Sequence, residues 1–438
     1  MSFEEATAYL DALGIDAMKK MAPSLHRIEA LCAAMNHPER AVPVLHITGT
    51  NGKTSTARIA SSLLVATGLT VGTYTSPHLE TVRERLTLNA DAISEDDFSE
   101  VWDHLLPYAR SVEDRLEEKL TYFELLTAMY FLWAAEAPVD ASVVEVGLGG
   151  TWDATNVVSA PVAVITNVAR DHTELLGEDL LTIAGEKVGI IDEDAAVVTG
   201  ERSPGVLQLI RDTAEAKNAS VSALGVHFSI STNKMALGGR FLSIKTSAAG
   251  YDGLFLPLHG AHQGANAAVA LEAITGFLPA RELAPEVVAE GFGRAVVPGR
   301  LETVKPNRES AAQVVLDVAH NPDGMSALVT SLVETFPFER VLFVVGILTG
   351  KDYEGMLREM ARIPCRLLVT RPQNARAIEV DELERAATSL GLDASAAGDV
   401  STAIDAALHV ATSDDLICIT GSHYVVGEAR TFLLGGNE

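Results

Sequence analysis

His46-Ile47-Thr48-Gly49-Thr50-Asn51-Gly52-Lys53-Thr54-Ser55 follows an apolar run that starts at Val42 and precedes a helical pattern, Thr56 to Leu64. A glycine-rich turn between strand and helix presents backbone N–H groups at the positive end of the helix dipole, which favours phosphate. Lys53 adds a point charge for the outer phosphates of a nucleotide, and the Thr54 hydroxyl is placed to ligate Mg²⁺. The general phosphate-loop pattern has glycine where Ile47 stands, so this loop is a variant.

Outward from the loop, strand-like runs alternate with helical ones. Val42–Thr48, Thr70–Thr75, Ala141–Val146 and Pro161–Thr166 read as strands, with helices over Asp96–Tyr108 (N-cap Ser94) and Phe123–Ala135 between them. Shorter β-like segments, Val226–Ile230, Gly239–Lys245 and Gly253–Leu258, break the rhythm. The alternation restarts with Val314–Asp317, Arg340–Gly346, Arg366–Thr370 and Leu416–Thr420, beyond a turn at Val297-Pro298-Gly299-Arg300. The expected fold is α/β, with two doubly wound, mostly parallel-sheet domains over 1–296 and 297–438. The larger N-terminal domain carries the phosphate loop and a small antiparallel appendage. A ligand is expected in the cleft between the domains.

Composition narrows the partners. A chain of 438 residues with 47% hydrophobic content can bury more than one core and is not a disordered polymer. A net charge of −26 argues against a general binder of nucleic acid or acidic membrane, so an anionic substrate must be held by local cations. The start, Met1-Ser2-Phe3-Glu4-Glu5, does not read as a signal peptide, and no apolar run approaches a membrane span. Cys32, Cys365 and Cys418 lack any Cys-x-x-Cys spacing, and Cys365 and Cys418, inside apolar strand-like runs, read as reduced core cysteines. A soluble, cytoplasmic protein is expected.

Polar clusters fall where the strands end, the edge at which doubly wound sheets meet ligands. Glu145 ends a strand and leads into Gly147-Leu148-Gly149-Gly150, which suits a carboxylate ligand of Mg²⁺ beside nucleotide phosphates. Asn167 to Thr173, with Asp171-His172, follows the next strand, and Thr75-Ser76-Pro77-His78-Leu79 offers another hydroxyl. Lys187 stands in a mostly apolar helix, where a lysine ordinarily snorkels to the surface. Asn266 closes a cluster of amide side chains able to read a base. Asp317-Val318-Ala319-His320-Asn321-Pro322 ends the first strand of the second unit, and Arg300 in the hinge is within reach of phosphates.

Taken in order, these segments resemble the folylpolyglutamate synthase and dihydrofolate synthase family of the Mur ligase superfamily. The matching pieces also include Phe123-Glu124-Leu125-Leu126-Thr127-Ala128, Asp153-Ala154-Thr155-Asn156, Pro298-Gly299-Arg300-Leu301-Glu302 and Val426-Gly427-Glu428. The resemblance implies a monomeric ATP- and Mg²⁺-dependent ligase, with an ATP-binding central domain and a Rossmann-like C-terminal ligase domain. A carboxylate of dihydropteroate or a reduced folate is phosphorylated by ATP, and the amine of L-glutamate displaces the phosphate. Residue by residue, it implies catalytic roles for Lys53, His172 and Lys187. Thr50, Asn51, Gly52, Lys53, Thr54, Ser55, Asn266, Arg300 and Asp317 fall at ATP, and Phe123, Asp153, Thr155 and His320 at the substrate. Thr54, Ser76 and Glu145 match positions around one Mg²⁺, His172 matches a position at a second, and Lys187 matches a lysine that the family uses as its carbamate.

Three positions depart from the family pattern, each removing or relocating charge near the expected site: Thr151 replaces a common Arg, Asp192 a common Lys, and Gly350-Lys351-Asp352 a frequent Asp-Lys-Asp. Competing readings are a UDP-peptide Mur ligase, a phosphate-loop NTPase or kinase, and a non-catalytic paralogue that binds folate or ATP. The stretch before the loop is too short for a UDP-binding domain, and the first of these ranks low.

Overall fold

The computed structural model describes residues 1–14, 24–307 and 310–435. The strands up to residue 223 are β1 (Val44–Thr48), β2 (Val71–Tyr74), β3 (Leu86–Leu88), β4 (Asp91–Ala92), β5 (Ala141–Glu145), β6 (Val162–Ile165), β7 (Ala196–Thr199) and β8 (Ser220–Ala223). Among the described residues they form one sheet in the order β4-β3-β2-β5-β1-β6-β7-β8. Pairing is parallel from β2 to β8, and β3 and β4 add an antiparallel edge. All five β1 residues are buried, as expected of a central strand covered on both faces. Parallel pairing requires helical crossovers, and the helices Lys53–Ala66 and Ala261–Phe277 pack together over one face of this sheet.

A second sheet is made of β9 (Ser229–Ala236), β10 (Gly239–Lys245) and β11 (Gly250–Leu256), antiparallel throughout. Among the described residues its strands pair only with one another, and it rests on the helix Ala261–Phe277. The expected Val226–Ile230 strand is displaced: Gly225, at φ +84°, opens a tight turn in which its N–H donates to the Phe228 carbonyl at 2.7 Å. The strand therefore begins only at Ser229.

The third sheet holds β12 (Glu302–Val304), β13 (Gln313–Leu316), β14 (Arg340–Val345), β15 (Cys365–Val369), β16 (Asp393–Ala396) and β17 (Asp415–Thr420). Its order is β12-β13-β17-β14-β15-β16, parallel except for β12. The fold is thus mixed α/β with two parallel-dominated sheets and a small antiparallel one, as the alternation implied.

One helix exceeds its expected length. Glu95–Leu116 runs on past Pro107, since Phe98, Val101, Trp102, Leu105, Ala109 and Val112 continue one buried stripe. Burial of that stripe outweighs the hydrogen bond that the proline removes. Cys32 and Cys418 are buried free thiols, whereas Cys365 is half-buried. No helix of the described residues is long and apolar enough to cross a membrane.

Candidate active site

In the first sheet β1 lies between β5 and β6, and in the third β17 lies between β13 and β14. Crevices open at such switch points, beyond the C-terminal strand ends. The two crevices face each other as one cleft of about 670 Å³. Every residue expected at the site lines it except Thr155 and Lys187.

The loop after β1 is held by its neighbours. Thr50 N–H donates to the Asn167 carbonyl at 2.9 Å, and Asn51 N–H to the Asn167 side chain at 2.9 Å. Gly52, at φ +80°, caps the helix Lys53–Ala66, and a Cβ there would fall 2.5 Å from Asn266 Oδ1. Only glycine allows the loop to lie so close to Asn266. Ser55 is buried under the loop. Across the cleft, Asn51 donates to Asp323 at 2.7 Å and accepts from Asn321 at 3.0 Å, which ties the loop to the opposite sheet's helix Pro322–Thr335.

Glu145 is buried at the end of β5. The Thr54 hydroxyl donates to its Oε1 at 2.9 Å, and Ser76 N–H donates to its Oε2 at 3.2 Å. Burial pushes the Glu145 carboxyl up, opposed by the Lys53 charge and by these hydrogen bonds. A carboxylate and two hydroxyl-bearing residues at one point are hard oxygen donors, and a divalent cation there would offset the cost of a buried carboxylate. The residues at this point therefore fit Mg²⁺.

Lys187 does not snorkel. It is buried, and its ammonium donates to the Gly49 carbonyl at 2.9 Å. Lys53 donates to the same oxygen at 3.1 Å and to the Thr50 carbonyl at 3.2 Å. Burial, then the neighbouring Lys53 charge, push the Lys187 amine down to about 7. Lys187 and His172 line one small crevice with Asp171 and His320.

Sequence reasoning placed Asp171, His172, His320 and Asn321 at separate strand ends but missed that Lys351 joins them in one cross-domain cluster. Asp171 receives Lys351 Nζ at 2.6 Å and Asn321 at 3.0 Å, and His320 Nε2 lies 3.3 Å from its Oδ2. Burial would raise the Asp171 carboxyl, but the His320 hydrogen bond and the Lys351 charge hold it well below the usual carboxylate range. His172 Nε2 is 3.3 Å from Lys351 Nζ; desolvation and that charge push the imidazole below its ordinary value. Lys351 belongs to the Gly350-Lys351-Asp352 departure, the one sequence signal that pointed to it.

The substrate side lies around Phe123, whose ring packs so tightly on Gly147 that a Cβ there would fall 2.5 Å from Cζ. Asp153 is buried and accepts N–H groups from Leu148 at 2.9 Å and Thr155 at 3.0 Å. Thr155, expected at the substrate, stands behind it: its hydroxyl donates to Asp153 at 2.6 Å and meets His46 Nε2 at 2.9 Å. Thr155 is fully buried and does not line the cleft, so it acts on a ligand through the Asp153 carboxylate it holds. Arg85 is a second residue that no motif marked. It is buried at the cleft wall, donates from Nε to His78 at 3.0 Å, and lies 5.3 Å from the Tyr122 ring centroid. Burial and the Arg85 charge push His78 down to about 3, so the partner of this guanidinium is a neutral acceptor.

Both Asp317 oxygens take backbone N–H groups, from Leu301 and Ala319 at 2.9 Å each, which shapes the turn carrying Arg300. Arg300 Nη2 is 3.4 Å from His423 Nε2. Of the departures, Asp192 accepts Ala160 N–H at 2.6 Å and does not line the cleft, contrary to the expectation that it alters charge at the site. Thr151 donates to the Glu186 carbonyl at 3.1 Å, against the helix that ends in Lys187.

Comparison with known proteins agrees with this geometry. Residues 47–274 match the Mur ligase middle domain, and residues 299–423 the Mur ligase glutamate ligase domain. The chain is 37% identical to a dihydrofolate synthase/folylpolyglutamate synthase of Mycobacterium tuberculosis, over 93% of this chain and 90% of the relative. It is 33% identical to one of Bacillus subtilis, over 97% and 99% of the two chains. Among solved structures, M. tuberculosis folylpolyglutamate synthase complexed with ADP superposes with a TM-score of 0.92 at 35% identity, covering 100% of this chain and 98% of that one. Escherichia coli FolC in complex with DHPP and ADP gives 0.86 at 29% identity, covering 97% and 96%.

Proposed function

The chain belongs to the dihydrofolate synthase/folylpolyglutamate synthase family of Mur ligases, and from that premise we infer how its cleft works as an ATP-dependent ligase. It joins L-glutamate to a folate-type carboxylate. The observation that carries the reading is the convergence, in one cleft between two sheets, of the loop lysine Lys53, the buried Glu145, Arg300 and His320.

In the first step an acceptor carboxylate oxygen attacks the γ-phosphorus of ATP, the bond to the β-phosphate oxygen breaks, and ADP leaves. The glutamate amine then attacks the acyl carbon and loses a proton, and the tetrahedral adduct expels phosphate. Phosphoryl transfer depends mainly on positioning and charge neutralisation. Lys53 and Arg300 supply fixed positive charge, and the loop N–H groups hold the phosphates. Asn266, beside Gly52, reads the nucleotide base. Thr54, Ser76 and Glu145 would hold Mg²⁺, which would neutralise phosphate charge. Lys187, kept close to neutrality, is suited to react with CO₂ as a carbamate next to His172. Asp171, Lys351 and His320 join the two domains at the place where carboxylate and γ-phosphoryl must meet.

Phe123, Asp153 and Arg85 make the pocket for the acceptor. Dihydropteroate and reduced folates both serve as acceptors in this reading, and the protein acts as a cytoplasmic monomer. Arg85→Ala should raise the KM for the acceptor about tenfold and leave the KM for ATP unchanged, since it removes one charged contact to an anionic ligand. Equal changes in both constants in steady-state kinetics would place Arg85 outside the pocket. The reaction class is tested by ADP release, which should require both acceptor and L-glutamate. Turnover of ATP with neither present would favour a phosphate-loop NTPase.

A further inference from the structure

The loop between β2 and β3 starts from the first sheet, yet the second domain holds it. Leu79 packs into the hydrophobic cluster of the third sheet, with Val318 and Val426. A Cβ on Gly427 would fall 2.1 Å from the Leu79 carbonyl oxygen, so only glycine lets the helix His423–Leu434 come this close. Next along that helix, the Thr431 hydroxyl donates to Glu80 Oε1 at 2.9 Å, and Arg430 Nη1 pairs with the other Glu80 oxygen. Arg430 Nε also donates to both oxygens of Glu302, at 3.2 and 3.3 Å. Glu302 in turn accepts the Gly299 N–H at 2.8 Å.

One guanidinium therefore joins two segments. The first carries Ser76, beside Glu145, and the second carries Arg300. None of Glu80, Glu302 and Arg430 lines the cleft, so any effect on the reaction is indirect, and the two segments they hold carry Ser76 and Arg300 to it. Without the guanidinium, two carboxylates would face each other across the domain junction and drive the segments apart. The three side chains are between 22% and 25% exposed, which limits solvent screening of the pair of contacts.

We propose that Arg430 is a positioning residue for ATP, holding the Ser76 loop and the Arg300 turn in register across the domain junction. The proposal rests on the reading that Ser76 and Arg300 act at the phosphates. It is tested with Arg430→Ala, Glu80→Ala and the double variant, measured by binding of a fluorescent ADP analogue and by steady-state kinetics, with Ser76→Ala as reference. Each single change should weaken nucleotide binding and raise the KM for ATP about tenfold, with the KM for the acceptor unchanged. The double variant should be no worse than the poorer single, because both remove the same link. If Arg430→Ala does not fold, Glu80→Gln removes one grip at constant size and carries the same expectation. Unaltered nucleotide binding in folded Arg430→Ala or Glu80→Gln, with Ser76→Ala impaired, overturns the proposal and leaves the site reading standing. Additive losses in the double variant overturn it too. A Ser76→Ala protein with normal ATP kinetics removes the reading and the proposal together.

Discussion

Lys53→Ala is expected to lower ligation by about 10²–10³-fold while the protein stays folded. Among the described residues the Lys53 ammonium bonds two loop carbonyls, Gly49 and Thr50, at the loop surface of the cleft. In the proposed mechanism its loss removes one of the two fixed positive charges that offset the phosphates during transfer. Lys187 sits at the same Gly49 carbonyl but is buried behind it. Steady-state rates alongside thermal unfolding check the expectation. Near-normal turnover by a folded Lys53→Ala protein would remove the loop from the mechanism.

Lys187→Ala should cost about 100-fold, the upper end for a lost supporting group at a metal site. Burial disfavours the charged Lys187 amine, and the Lys53 amine on the same carbonyl oxygen adds to this. A neutral amine can add to CO₂, losing a proton, to give a carboxylate-like group in the crevice with His172. Short carboxylic acids should then restore part of the activity of Lys187→Ala. Unmodified protein equilibrated with isotope-labelled bicarbonate should show a carbamate carbon signal that Lys187→Ala lacks. A lysine serving only to neutralise charge would show neither rescue nor signal.

The sheets and their order of appearance were legible because parallel strands, buried on both faces, leave continuous apolar runs between helical patterns. The phosphate loop and Glu145 were legible for a related reason: each sits directly at a strand end, next in sequence to the run that announces it. What was missed lies at short or irregular elements. β3 and β4 are too brief to carry a period, and β8, at the sheet edge, grades from exposed Ser220 through two half-buried residues to buried Ala223 without alternating. Arg85 and Lys351 reach the cleft from a 3-10 turn and from a loop after β14, where no periodicity fixes a side chain's direction. Thr155 shows the opposite limit. Its motif was visible, but only packing shows that it supports Asp153 and does not face the cleft. Lys187 combines both cases, since a helical pattern cannot reveal that its helix end is buried under another lysine.

The central chemical act is formation of an amide bond to glutamate in the cleft between the two sheets. Purified protein with ATP, Mg²⁺ and radiolabelled L-glutamate, offered dihydropteroate and tetrahydrofolate separately, tests it most directly. Label should appear in dihydrofolate with the first acceptor and in a glutamate-extended folate with the second, with one ADP formed for each glutamate joined. Labelled product from tetrahydrofolate alone would confine the enzyme to chain extension. ATP consumption with no label in either product would contradict the account.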